Sequence, residues 1–167
     1  MGSRSVKDII ARRAAAYEKS GRCAVIEAQR IDANGNVMVN DAAGAMSKAE
    51  NADTIIFTTF FSRDAASGKY PVYELGNGYM KVAAESKRKG LVSRIRQPNC
   101  HGKKLLKQGK RLVYVTERCV FELTGNGLSL TEVCPGMDIQ KDILDQLAFT
   151  PTFSKNLGQM PAEVFEY

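Results

Sequence analysis

An uninterrupted apolar run near the middle of the chain most constrains how this sequence can fold. Residues 54–61 read TIIFTTFF, with β-branched or aromatic side chains at every position. A strand that alternates apolar and polar residues buries one face, whereas a continuously apolar strand buries both. The run therefore predicts a strand of a parallel sheet that is covered by helices on both faces.

The second half of the chain predicts an antiparallel meander and then a helix. The three meander strands are apolar segments separated by turn residues, at residues 112–115, 119–123 and 128–133. Residues 138–147 follow as a helix with Asp138 as its N-cap and a buried stripe of Ile139, Ile143, Leu144 and Leu147. The predicted fold class is α/β: a partly parallel sheet flanked by helices, with a C-terminal antiparallel meander and helix.

The first half of the chain predicts shorter elements. A helix over residues 5–19, with a capping box of Ser5 and Asp8, precedes a strand over residues 23–26. Asn34 and Gly35 predict a tight turn, followed by a small and flexible stretch at residues 41–45. The remaining predictions are a loop at residues 62–68, paired strands at 72–74 and 79–83, a short strand at 91–95 and a basic helix at 103–110.

The length of 167 residues predicts one domain. We interpret residues 1–4 as a cloning remnant or disordered, residues 5–151 as a single α/β domain, and residues 152–167 as a loosely held tail. Apolar residues make up 44% of the chain, yet none of the apolar runs reaches the ~20 residues of a membrane span. We expect a cytoplasmic protein without a membrane partner and without a signal peptide.

Positive charge is concentrated in two stretches of the chain. The formal net charge is +6, and basic residues cluster at residues 81–96 and 103–111. A solvated basic face is the default interpretation. A nucleic-acid surface is a second one, which the scarcity of aromatic stacking partners disfavours. A site for a ligand with several phosphate groups is the third.

The cysteines do not predict a metal site. None of Cys23, Cys100, Cys119 and Cys134 belongs to a CxxC pair, and His101 is the single histidine. Cys100 and His101 are adjacent in sequence, and adjacent residues rarely converge on one metal ion. We therefore expect reduced thiols, in keeping with a cytoplasmic location, and no metal.

A closing segment in the second half of the chain carries a resemblance to a known family. It resembles the end of class I coenzyme A (CoA) transferases of the acetate/propionate type, in order and spacing. The matching residues are Tyr114, Val115, Thr116, Glu117, Arg118, Val120, Phe121, Gly127, Leu128, Glu132, Pro135, Gly136, Asp138, Asp142, Ile143, Leu144, Phe149 and Pro151. Cys134 stands where the family usually has Ala.

Weaker matches precede that segment. Residues 8–15 with Gly21 resemble the helix that opens the second half of these enzymes, and Gln29 to Val39 resemble a motif A-Q-x-D-x-x-G-N-V-N. Gly44, Ala45 and Met46 resemble the family's glycine turn. In the family, a long segment with the nucleophilic Glu separates the opening helix from this motif, and that segment is missing here.

The resemblance implies a chemistry and a set of site residues. In the family, a Glu carboxylate attacks the acyl-CoA thioester, and CoA passes to a second carboxylic acid. Glu27 and Glu74 are interpreted as surface or turn acids, and Glu117 and Glu132 as scaffold, so we assign no catalytic residue. Predicted substrate-binding residues are Asn36, Gly44 and Ala45, although plain turn roles explain Asn36 and Gly44 equally well. Lys87, Arg88 and Lys89 are the predicted CoA-phosphate contacts, with a solvated basic face as the alternative.

Three hypotheses for function follow. The first is a CoA-transferase-related chain that binds acyl-CoA or CoA, requires no other cofactor, and is inactive alone because the nucleophilic Glu is missing. It would complete its site as a homo-oligomer or with a complementary CoA-transferase chain. The second is a non-catalytic binding or interaction module derived from such an enzyme. The third, nucleic-acid binding, depends on the basic charge alone.

Overall fold

The computed structural model describes residues 3–18 and 21–166. Three helices and eleven strands account for most of these residues. In chain order they are α1 (Ser3–Tyr17), β1 (Cys23–Glu27), β2 (Arg30–Asp32), β3 (Val37–Met38), α2 (Ala42–Glu50), β4 (Thr54–Thr58), β5 (Val72–Gly76), β6 (Tyr79–Ala84), β7 (Leu91–Val92), α3 (Gly102–Lys107), β8 (Arg111–Val115), β9 (Cys119–Thr124), β10 (Gly127–Val133) and β11 (Thr152–Gln159).

A six-stranded mixed sheet forms the centre of the molecule. Its strand order is β1-β4-β8-β9-β10-β11. Strands β1, β4 and β8 are parallel to one another, whereas β8, β9 and β10 form the antiparallel meander. The predicted fold class, a partly parallel sheet with helices and a C-terminal meander, is confirmed.

Strand β4 is buried on both faces, as its apolar run predicts. Ile55, Ile56 and Phe57 are each 0% exposed. Ile55 and Phe57 belong to the core under α2 and α3, whereas Ile56 faces the core under α1. Because successive strand residues point to opposite faces, helices on both sides are needed to cover this strand.

Two small β units flank the main sheet. Strands β3, β2 and β7 form one of them, with the predicted turn at Asn34 and Gly35 joining β2 to β3. Gly35 has a φ of +74°, and a Cβ there would lie 2.6 Å from the Tyr114 hydroxyl, so glycine suits this turn. Strands β5 and β6 form the other unit, an antiparallel hairpin at the predicted place.

Four predictions for the first half are wrong in detail. Residues 41–45 are not an irregular stretch, because Asp41 caps helix α2 and its Oδ1 accepts the Gly44 N–H at 2.9 Å. Gly44 to Met46 consequently lie in a helix, not in a glycine turn. Helix α1 begins at Ser3, so Ser5 is not its N-cap; the predicted helix end at Lys19 lies outside the described residues. Part of the predicted loop at 62–68 is a 3-10 turn, Arg63–Ala66.

The C-terminal residues are ordered by backbone pairing and by burial, which differs from the predicted loose tail. Strand β11 pairs in parallel with β10 and forms one edge of the main sheet. A 3-10 turn, Ala162–Phe165, then places Phe165 in the core at 0% exposure. The described part of the segment after residue 151 is therefore part of the folded domain.

The segment that follows the meander keeps its predicted N-cap. Asp138 Oδ1 accepts the Lys141 N–H at 2.8 Å, and Asp142 Oδ2 accepts the Asp138 N–H at 2.9 Å. The helical residues form a π-helical turn, Ile139–Ile143, and then a 3-10 turn, Leu144–Gln146. Ile143 and Leu147 are buried, as the predicted stripe requires, while Ile139 and Leu144 are half-buried.

All four cysteines are free thiols, and three of them are buried. Burial raises the pKa of Cys100 to about 11. Within residues 3–18 and 21–166, every helix is too short or too polar to cross a membrane.

Removal of the α2 cap tests how this helix begins. Asp41→Ala deletes the acceptor for the Gly44 N–H, so we expect the free energy of unfolding to fall by about 1 kcal/mol. Urea unfolding compares this variant with Asp41→Asn, which keeps a side-chain oxygen at the same position. Equal stability of the two variants would show that the capping bond contributes nothing.

Candidate functional site

A broad concave surface lies where the parallel strands end. A cleft of about 990 Å³ runs along β1 and around the carboxyl ends of β1 and β4. In open α/β sheets, ligands bind at the carboxyl ends of the strands. The residues that line this cleft include Lys7, Ala11, Ala14, Glu18, Val25, Glu27, Arg30, Lys48, Thr59, Arg63 and Gly90.

The end of the cleft at β4 is formed by Thr58, Thr59, Arg63 and Gly90. Arg30, Lys48 and Lys7 also line the cleft with positive charge, and Glu18 and Glu27 add two carboxylates. Gly90 forms part of the wall, where a Cβ would lie 2.6 Å from the Phe60 carbonyl oxygen. This composition suits an anionic ligand more than a cationic one.

The predicted phosphate-binding residues lie beside this end of the cleft. Lys87, Arg88 and Lys89 are exposed, and their backbone is attached to the segment that follows β4. The Ser62 hydroxyl donates to the Arg88 carbonyl at 3.1 Å, and the Arg63 N–H donates to the same oxygen at 3.4 Å. These bonds bring the basic loop, residues 87–89, next to Arg63. The sequence alone does not mark Arg63 as a candidate phosphate contact.

The predicted substrate-binding residues lie away from the cleft. Asn36 accepts the Gly102 N–H at 3.1 Å and contacts Asp32, so it joins the β2–β3 turn to the start of α3. The Gly44 N–H donates to Asp41, and Ala45 is a buried residue of α2 at 6% exposure. The structure does not bring these three residues together with the cleft.

Glu117 occupies a fully buried position at the turn between β8 and β9. Its Oε1 accepts the Phe61 N–H at 2.7 Å, and its Oε2 accepts the Tyr73 hydroxyl at 2.6 Å. Burial raises the pKa of Glu117, although the neighbouring Arg118 charge and the Phe61 N–H oppose that shift. Both carboxylate oxygens are thus used to hold the chain, in agreement with the predicted scaffold role.

Arg118 is buried beside Glu117 and satisfies its charge through three chain segments. Its guanidinium makes two 2.8 Å bonds to the Glu85 carboxylate and a 2.9 Å bond to the Asp142 carbonyl. Its Nε donates to the Tyr73 hydroxyl at 2.9 Å. Burial lowers the pKa of Arg118, but the Glu85 carboxylate, Tyr73 and Glu117 together more than offset this, and the net direction is upward.

Three further acids considered from the sequence lie in different surroundings. Glu132 pairs with Arg13, whose Nε donates to Glu132 Oε1 at 2.7 Å, as the scaffold interpretation predicts. Glu74 lies exposed on the hairpin, opposite Lys81. Glu27 is exposed too, yet it lines the cleft, a position that the sequence did not predict. In the described part of the chain, no three His, Cys, Asp or Glu side chains converge as metal ligands would.

Sequence comparison finds relatives that are longer than this chain and match it over a part of their own length. The caffeate CoA-transferase of Acetobacterium woodii is 39% identical over 92 residues, which is 55% of this chain and 18% of that enzyme. The acetate CoA-transferase YdiF of Escherichia coli O157:H7 is 33% identical over 138 residues, 81% of this chain and 26% of the enzyme. No family model matches the chain.

Structural comparison agrees with these relatives. The acyl-CoA transferase YdiF of Escherichia coli O157:H7, as apoenzyme, superposes with a TM-score of 0.77 at 29% identity, covering 86% of this chain and 28% of that one. The decarboxylase AibA/AibB superposes with a TM-score of 0.56 at 15% identity, which shows a shared fold alone.

The chain thus spans about a quarter or less of the curated relatives that it matches. Over this part it is homologous to class I CoA-transferases.

Loss of the Glu85 carboxylate tests the importance of the Arg118 pair. Glu85→Ala leaves a fully buried guanidinium without its acid, so we expect the free energy of unfolding to fall by about 3 kcal/mol. Glu74→Ala, an exposed acid on the same hairpin, should change it by less than about 0.5 kcal/mol. Chemical denaturation measures both, and similar losses for the two variants would contradict this assignment.

Proposed function

We propose that this chain is a CoA-transferase-related unit that binds CoA or acyl-CoA and does not transfer CoA by itself. The observation that carries the proposal is the basic cleft at the carboxyl ends of β1 and β4, in a chain homologous to CoA-transferases over part of their length. CoA carries several phosphate charges, and a cleft lined by Arg30, Lys48 and Arg63 offers them cations.

The basic loop supplies a further reason to place the phosphates there. Lys87, Arg88 and Lys89 extend into solvent next to Arg63, because the Arg88 carbonyl is bonded to residues 62 and 63. Arg88 also approaches Asp64 at 3.6 Å with its side chain 73% exposed, a weak contact that a phosphate can replace. We assign the CoA phosphates to this loop and to Arg63.

The proposed absence of transfer follows from the acids present. Thioester exchange through an enzyme-bound CoA needs a carboxylate nucleophile within reach of the thioester carbonyl, together with donors for the oxyanion. Glu117 and Glu132 are committed to structural bonds. Glu27 does not match the family's nucleophile in the resemblance. A complementary chain with that carboxylate would make the unit competent, whereas a binding module would need none.

Ligand binding is tested by thermal unfolding with CoA. Ligand at a hundred times its dissociation constant stabilises the folded state by about 2.7 kcal/mol, so we expect a clear rise in Tm. Replacing Lys87 and Lys89 together with Ala removes two exposed phosphate contacts and should weaken binding roughly tenfold.

The matched control removes the same charge elsewhere. Lys103→Ala with Lys107→Ala lowers the net charge equally on α3, away from the cleft lining, and should leave CoA affinity unchanged. Equal weakening by both pairs would show non-specific attraction. An unchanged Tm at high CoA concentration would exclude the proposed ligand.

The absence of transfer is tested by an exchange assay. The isolated chain is incubated with acetyl-CoA and a short-chain carboxylate, and we expect no new acyl-CoA above the uncatalysed background. Measurable transfer that disappears in Glu27→Ala, but persists in Glu74→Ala, would make Glu27 a nucleophile and overturn this part of the proposal.

A further inference from the structure

Helix α1 covers one face of strand β1 only in part. The helix packs mainly on β4 and β8. On the side of β1 that faces α1, Cys23 and Val25 are partly buried against the core under α1, and Val25 also lines the cleft. The opposite side carries Ala24 and Ile26, which are buried in the core under α2. Parallel strands in α/β proteins are usually covered on both faces, so this partly covered face leaves room for a neighbour.

The backbone of β1 is open on the same side of the molecule. The Thr54 N–H donates to the Arg22 carbonyl at 3.1 Å, and the Ala28 N–H donates to the Thr58 carbonyl at 2.8 Å. In a parallel ladder these bonds alternate along the strand, so Val25 and Glu27 direct their N–H and C=O groups away from β4. Among the described strands only β4 pairs with β1, the end strand of the sheet. An edge of this kind is a template for pairing with another chain.

Helix α1 borders this open edge with one stripe of side chains. Lys7, Ala11, Ala14 and Glu18 line the groove between α1 and β1, at helical spacings of four, three and four residues. Such residues lie along one side of a helix. The two central side chains are small, and the two ends carry opposite charges. Within the described chain, neither Lys7 nor Glu18 makes an ion pair.

We propose that a second copy of this chain docks on the open edge through a twofold axis that passes beside Val25. Strand β1 of one copy then pairs antiparallel with β1 of the other, and the two sheets become continuous. Helix α1 lies on one face of the sheet, so in the joined sheet the two copies of α1 lie on the same face and run antiparallel on either side of the junction. Lys7 of each copy lies against Glu18 of the other.

The charge pattern favours a second copy over an unrelated strand. A twofold interface presents the same patch on both sides, so the patch must be complementary to itself. A stripe with Lys at one end, Glu at the other and Ala between them meets this condition, because an antiparallel arrangement matches each cation with an acid. This inference goes beyond the proposed function and does not depend on CoA binding.

Cysteine cross-linking tests the strand register. Val25 would face its own copy as a hydrogen-bonded antiparallel pair, with a Cα separation of roughly 5.5 Å, which a disulfide can span. In a Cys23→Ser background, which leaves the three buried native thiols, Val25→Cys should oxidise to a covalent dimer. Val72→Cys in the same background, exposed on the hairpin, should remain monomeric.

Charge exchange tests the helix contact independently. Lys7→Glu places two acids together at each end of the interface and should weaken dimerisation roughly tenfold, as should Glu18→Lys. The double variant restores opposite charges and should recover the wild-type dimer. Light scattering after size exclusion, across a range of protein concentrations, measures the dissociation constants. Circular dichroism confirms that each variant is folded.

Several results would overturn the proposal. A wild-type chain that stays monomeric at the highest soluble concentration excludes the second copy as the occupant of the groove. If the Val25→Cys variant dimerises but does not form the disulfide, the interface lies elsewhere. The same holds if neither charge variant weakens the dimer. CoA binding is measured separately on each variant, so loss of dimerisation and loss of ligand remain distinguishable.

Discussion

The buried Arg118 guanidinium is the interaction on which the arrangement of the chain depends. A fully buried cation is costly unless its hydrogen bonds are satisfied, and here Glu85, Tyr73 and the Asp142 carbonyl satisfy them. These partners belong to the hairpin β5–β6, the segment just after it, and the turn that follows the meander. One side chain thus attaches two peripheral units to the meander corner.

The same corner shapes the cleft, although none of its residues lines it. Glu117 binds the Phe61 N–H, and the Val115 carbonyl accepts the Thr59 N–H at 3.1 Å. Both bonds fix the chain as it leaves β4, where Thr59 and Arg63 enter the cleft lining. The closing segment that resembles the family thus fixes, through these two bonds, the chain where it enters the cleft lining.

The sequence predicts those elements whose side chains show a clear apolar pattern. The apolar run at Ile55, Ile56 and Phe57 predicts a strand buried on both faces. The three apolar segments of the meander are separated by turn residues. Strand β11 was not predicted, because TFSKNLGQ has little apolar pattern and is held by backbone bonds to β10. Helix α2 was missed because Ala and Gly at its start suggest flexibility, whereas the Asp41 cap decides the outcome.

The candidate site was harder to predict because it joins residues that are distant in sequence. Their charge marks Lys87 to Lys89 as candidate phosphate contacts, but Arg63 becomes their neighbour only through the bonds to the Arg88 carbonyl. The resemblance marks Asn36 and Gly44 as candidate substrate contacts, whereas in the structure their polar groups bond to Gly102 and Asp41. A motif can identify relatives without locating the contacts that a ligand would make.

The most direct test of the proposed ligand site is an amide chemical-shift map of the chain during titration with CoA. We expect saturable shifts concentrated at residues 58–63 and 87–90, around the end of the cleft at β4. The absence of saturable shifts, or shifts confined to the lysines of α3, would contradict the proposed CoA site.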